Sequence, residues 1–215
     1  MKRFCSVAGI TTAVMTAASA CIPLEPAPLD IRAGQSGLPG AVTCEEPFGK
    51  DASHASVVAK FGAANVAFEE ASLGFENFRG VATILYPHDP ARRLEIFWFD
   101  DEKRSRTAEI HITGKSQWIA GSQLRLGLNL KQVEAINKKP FRLRNFNDMD
   151  NDGLVKDWRG GALDWDSSRC VVAAVFAPDG KVDEPNTEIV LSSDPTLGPA
   201  RARLVRIIIK YPSVE

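Results

Sequence analysis

The order of residue types in the first 43 residues reads as a segment standing outside the globular fold. Lys2 and Arg3 are followed by an uncharged apolar stretch from Phe4 to about Ala18, and then by the small residues Ala18-Ser19-Ala20. This is the pattern of an export signal, 1–20, with a small-residue cleavage site. The stretch is too short to span a bilayer, which takes roughly 20 apolar residues. Helix continuation is blocked at once, because Pro23, Pro26 and Pro28 lack the amide proton and clash with the preceding turn.

Cys21 stands directly after the small residues. Two processing events fit. In one, Cys21 is acylated and becomes the mature N-terminus of a lipoprotein; Ala18 stands where such sites usually carry Leu. In the other, ordinary cleavage after Ala20 leaves a stray thiol. Cysteine arithmetic favours the first. With the signal removed, Cys21, Cys44 and Cys170 remain, and an odd thiol is a liability in an oxidising compartment. Lipidation of Cys21 leaves the pair Cys44 and Cys170. Their disulfide, closing a loop from 44 to 170, would contribute up to ~4–5 kcal/mol by chain entropy. The expected location is therefore the periplasm, as an outer-membrane lipoprotein. Residues 21–43, rich in Pro and Gly, read as a tether able to reach roughly 60 Å.

The remainder, 44–215, has the size of a single globular domain. The formal net charge is −1. Without a basic excess there is no case for nucleic acid, and without an acidic block there is none for a solvating tail. Asp51 to Phe61, closed by Gly62, reads as a short helix. Val81–Tyr86 and Leu94–Phe99 read as strands around Pro87-His88-Asp89-Pro90, and Ala108–Thr113 as a third. Gly114–Gln123 reads as a loop. A second helix starts at Asn129, with Gln132 at the reciprocal capping position, and Pro140 ends it. Phe141–Phe146, Gly153–Trp158, Cys170–Phe176, Thr187–Leu191 and Leu204–Tyr211 complete the strands. The expected fold is α+β: mostly antiparallel β-sheet with two short helices. Trp98 and Trp158 suggest two degenerate α-β-β-β units, 44–123 and 124–215.

Five segments carry a resemblance: 61–66 (FGAANV), 87–98 (PHDPARRLEIFW), 114–118 (GKSQW), 124–130 (LRLGLNL) and 137–141 (NKKPF). Together they resemble a group of exported proteobacterial proteins, a likeness that brings no activity with it. More loosely, the helix-then-strands pattern is similar to the tandem units of β-lactamase-inhibitor-like proteins and of a small outer-membrane assembly lipoprotein. That resemblance implies binding to other proteins, and fold alone assigns no function.

Asp148, Asp150 and Asp152 before Gly153 match the first half of a calcium loop, in which alternate carboxylates converge on one hard cation. Arg159 stands where the bidentate Glu belongs, and the flanks read as strands. An Asx-rich turn explains the same residues. Calcium is thus a candidate cofactor, with Asp157, Asp164 or Asp166 as further oxygen donors. His54, His88 and His111 show no metal spacing, and His111 is expected to be exposed on the polar face of its strand. Gly114-Lys115-Ser116 lacks the upstream glycine of a nucleotide loop. Trp118 and Trp165 lie in polar, loop-like segments and are the candidate interface residues.

These readings add up to a non-enzymatic envelope module that binds a protein or an envelope polymer through its sheet and loops. A hydrolase with a His/carboxylate site and a calcium-binding envelope protein are the alternatives. An open aromatic face would favour binding, and a deep pocket around a histidine and carboxylates would favour an enzyme.

Overall fold

Two local capping motifs set the helices. In the computed structural model, which describes residues 40–72, 79–146, 153–182 and 187–213, α1 (His54–Phe61) starts at Ser53. The Ser53 hydroxyl accepts from the Ser56 amide at 3.1 Å, and the Ser56 hydroxyl accepts from the Ser53 amide at 2.9 Å. Helix α2 (Leu130–Asn137) has the same reciprocal arrangement between Asn129 and Gln132, both bonds 2.9 Å. Such pairs satisfy amides that a helix start otherwise leaves orphaned. Gly62 ends α1 at φ +84°, a backbone that side-chain-bearing residues rarely adopt.

The strands are β1 (Ala41–Val42), β2 (Val66–Ser72), β3 (Arg79–Leu85), β4 (Leu94–Asp100), β5 (Ser105–Thr113), β6 (Ile119–Ala120), β7 (Arg142–Arg144), β8 (Val155–Asp157), β9 (Val171–Ala177), β10 (Ile189–Leu191) and β11 (Arg203–Lys210). Six form an antiparallel sheet in the order β2-β3-β4-β5-β11-β9. A smaller antiparallel sheet runs β10-β7-β8, and β1 pairs in parallel with β6, which corrects the end of the expected 21–43 tether: Val42 is fully buried in the core. The bridge Leu154–Val175 joins the smaller sheet to β9. The fold is α+β.

The expected three-strand repeat is corrected by β2. Val66–Ser72 is a strand paired along its whole length with β3, so the first half is a helix followed by a four-strand meander. Outward from the β5–β11 junction both halves run in reverse chain order, β5-β4-β3-β2 and β11-β9-β8-β7, but the second is split between two sheets and carries β10 at its outer edge. Trp98 lies on the third strand of its half, whereas Trp158 follows the second of the other, so the two tryptophans do not correspond.

One face of the large sheet builds the main core. Leu94, Ile96, Trp98, Ile110, Ile112, Ile207 and Ile209 pack there with Val57 of α1 and Val133 of α2. Phe141 lies between Trp158 and Phe176, with ring centroids at 5.1 and 5.8 Å. The Cys44–Cys170 disulfide is formed, Cα–Cα 5.7 Å, and ties the segment before α1 to the start of β9. Its span is in the ordinary range for a disulfide.

Candidate functional site: the outer face of the sheet and its loops

Strand alternation decides what the second face of the large sheet carries. Leu94, Ile96 and Trp98 of β4 point to the core; Glu95, Phe97 and Phe99 point the other way. On β5 and β11 the outward residues are Glu109, His111, Ile208 and Lys210. Register brings Glu95 and Ile208 beside His111, and Phe97 and Lys210 beside Glu109. The result is two polar clusters on one face. Arg93 Nε donates to Glu95 at 2.9 Å, and its Nη1 lies 3.5 Å from Glu69. Glu109 faces His111 Nε2 at 2.7 Å and Lys210 Nζ at 2.9 Å.

Ala71, Ala82, Ile84 and Phe97 form a second, smaller apolar cluster on this face, drawn from strand residues alone. Phe99 is 39% exposed at its border. A cavity of about 360 Å3 opens there, lined by Val81, Phe97, Phe99, Glu109, Lys210 and Tyr211 among others.

His111 is only 1% exposed, which corrects the expectation of a solvent-facing histidine. Its ring packs on Phe97 with centroids 4.7 Å apart, and Glu109 covers the other edge. Burial pushes the Glu109 carboxyl up, but the hydrogen bonds and charges of His111 and Lys210 outweigh it and hold the group at about 2. A carboxylate-held imidazole is half of an acid–base relay. The other half is not found among the described residues: His111 Nδ1 is buried and has no hydrogen-bond partner there, so none of their hydroxyls or thiols is bonded to this nitrogen.

His54 is bonded within the fold as well. The Trp98 indole donates to the Thr83 hydroxyl at 2.9 Å, and His54 Nδ1 is hydrogen-bonded to the same hydroxyl, also at 2.9 Å. Burial, and then the Arg104 charge, lower the His54 pKa. Thr83 is fully buried, so this chain pins α1 to the sheet and offers no reachable nucleophile. His88 is exposed.

Another cavity, of about 640 Å3, lies at the start of α2 beside the 192–203 segment. Its polar lining includes Lys131, Glu134, Ser192, Asp194, Arg201 and Arg203, with no histidine. Ser192 accepts from the Phe141 amide at 2.9 Å and donates to Glu134 at 2.5 Å, so its hydroxyl is fixed in the wall.

The two candidate interface tryptophans part company. Trp118 is buried, 3% exposed, and so is withdrawn from any surface. The 114–118 loop folds against the 87–93 turn: the Gln117 amide donates to Ala91 O at 2.8 Å, and the Ser116 hydroxyl to Arg93 O at 2.8 Å. The Trp118 indole then donates to Arg92 O at 2.7 Å, edge-on to Phe48. Trp165 stays half-buried against Gly121, at the rim of a cavity of about 210 Å3.

Cys21, Asp148, Asp150 and Asp152 lie outside the described residues, as does the 1–20 segment. The further oxygen donors are engaged in their own turns. Asp157 accepts from the Arg159 amide, Asp164 from the Gly160 amide, and Asp166 from Ser168. Among the described residues no three His, Cys, Asp or Glu side chains are grouped to hold a metal ion.

No protein-family model, curated protein or solved structure matches the chain.

Proposed function

We propose that this chain is exported to the cell envelope and works there as a non-catalytic binding module, presenting the outer face of its large sheet to a protein partner. The observation that carries the reading is the pairing, on one sheet face, of a side-chain-sized cavity beside exposed Phe99 with a balanced set of charges. Glu69, Glu95 and Glu109 stand against Arg93, Arg206 and Lys210 on that face. A long polyanion gains little from such a surface. A protein surface of mixed charge, inserting one apolar side chain between Phe97, Phe99 and the Lys210 stem, is the complementary occupant. Among the described residues no nucleophile is bonded to His111 Nδ1, so the hydrolase alternative draws no support from this histidine.

The test is photo-crosslinking of the full chain in its native envelope. A crosslinker at Phe99 is expected to trap one protein, and the same group at Gln132, an exposed position on α2, is expected to trap none. The adduct should disappear in a Lys210→Glu background. Equal yields at both positions, or no adduct at Phe99, defeat the reading.

A further inference from the structure

Trp165 differs from the other three tryptophans in what its indole N–H does. Trp98 donates to Thr83, Trp118 to Arg92 O and Trp158 to Val172 O, at 2.7–2.9 Å. Those three are buried, where an indole N–H usually finds such a partner; Trp165 is half-buried. Among the described residues Trp165 Nε1 has none. The ring is nevertheless held in place. It lies on Gly121, where an added Cβ would come 2.9 Å from Cζ2, and Gly121 itself sits at φ +60°.

The cavity beside it, about 210 Å3, is lined by Ser122, Gln123, Ile136, Lys138 and Leu163 as well as Trp165. Ser122, Gln123 and Lys138 are exposed, and among the described residues their side chains have no hydrogen-bond or ion-pair partner. A fixed aromatic wall with uncommitted donors and acceptors around it has the composition of a small-ligand site. Asp164 and Asp166 flank Trp165 in sequence, each already bonded within its own turn. They add negative charge nearby, which disfavours an anionic ligand.

We propose that this cavity binds a neutral pyranose ring, the terminal or exposed sugar of a glycan. One face of a pyranose presents C–H groups that stack on an indole. Its edge presents hydroxyls that both donate and accept, and these match Trp165 Nε1, Gln123, Ser122 and the Lys138 ammonium. The volume takes one ring and not a chain of them. This site is distinct from the outer sheet face, so the crosslinking result at Phe99 neither supports nor defeats it.

The experiment is an indole N–H spectrum of the nitrogen-15-labelled protein, titrated with methyl glucoside, with N-acetylglucosamine and, as a ring without the hydroxyl set, with cyclohexanol. Trp165→Phe assigns the peak, and the three remaining indole signals report whether the fold is kept. The expected result is a saturable shift of the Trp165 signal alone, with at least one sugar, at millimolar concentration. Gln123→Ala should weaken it several-fold while leaving the other indoles unmoved. No sugar-dependent shift, or an equal response to cyclohexanol, overturns the proposal.

Discussion

The Asn137 side chain, at the last position of α2, donates to the backbone carbonyl of Trp158 at 3.0 Å, and so fastens the helix end to the loop that carries Trp165. The same amide donates to Lys139 O at 2.9 Å, and its oxygen accepts from the Leu163 amide at 3.0 Å. Asn137 is fully buried. All three bonds run to backbone groups, and removing a buried partner costs more than the bond itself contributes. Asn137→Ala is expected to lower unfolding stability by about 2–4 kcal/mol in urea titration. Gly161→Ala should act on the same joint, because a Cβ there would collide with the Asn137 amide. A loss under ~0.5 kcal/mol in both, the scale of ordinary surface changes, would show that the loop is held by something else.

The disulfide sets a second expectation. Cys170 is fully buried at the start of β9, and Cys44 packs against the same core. Replacing both by Ser frees a very long loop in the unfolded chain and puts a hydroxyl into an apolar site. The expected loss is ~2–5 kcal/mol. Wild-type protein isolated from an oxidising compartment should gain two hydrogens on reduction in intact-mass measurement. Two free thiols before reduction would contradict the bond.

What sequence reasoning recovered was local. Both helices were legible because their caps are made within four residues: Ser53 with Ser56, Asn129 with Gln132. Strands β3, β4 and β9 were legible from runs of β-branched and aromatic residues. β2 was not, since Ala67, Glu69, Glu70 and Ala71 have weak strand preference, and only the full-length pairing with β3 makes that segment extended. Its two glutamates suit an edge strand, where charge discourages pairing with another chain.

The site residues were missed or misjudged for a related reason. Trp118 sits among polar neighbours in sequence, and its burial comes from a turn more than twenty residues upstream, at Arg92. His111 alternates onto the outer face as the pattern requires, but Phe97 and Glu109 close over it there. Trp165 is placed by Gly121, and no local signal links the two. The open signal was the small-residue gap, a glycine after Trp118-Ile119-Ala120, which is interpretable only once its neighbour in space is known.

Acylation at Cys21 is tested by intact mass of protein recovered from membranes. A lipoprotein begins at Cys21 and carries added acyl mass, and Cys21→Ala moves it to the soluble fraction. An unmodified, soluble wild type that Cys21→Ala leaves unchanged would mean ordinary cleavage.

The Glu109 carboxylate predicts a pH dependence whose sign is fixed. Its folded pKa is about 2 against an ordinary value of 4.5, so the folded state favours the ionised form. Stability from this group is complete above 4.5 and is lost as pH falls from 4.5 through 2. The side chain is 30% exposed, so solvent screening reduces the effect. Glu109→Gln cannot ionise and loses the attraction to Lys210. It is expected to be less stable than wild type by about 1–2 kcal/mol at pH 7, after that reduction. Near pH 2 the wild-type carboxyl is half protonated, and most of the difference should be gone. Urea titrations of both proteins at pH 7, 4.5 and 2.5 read this directly. If the two stability curves stay parallel across that range, Glu109 is not held by His111 and Lys210 in solution.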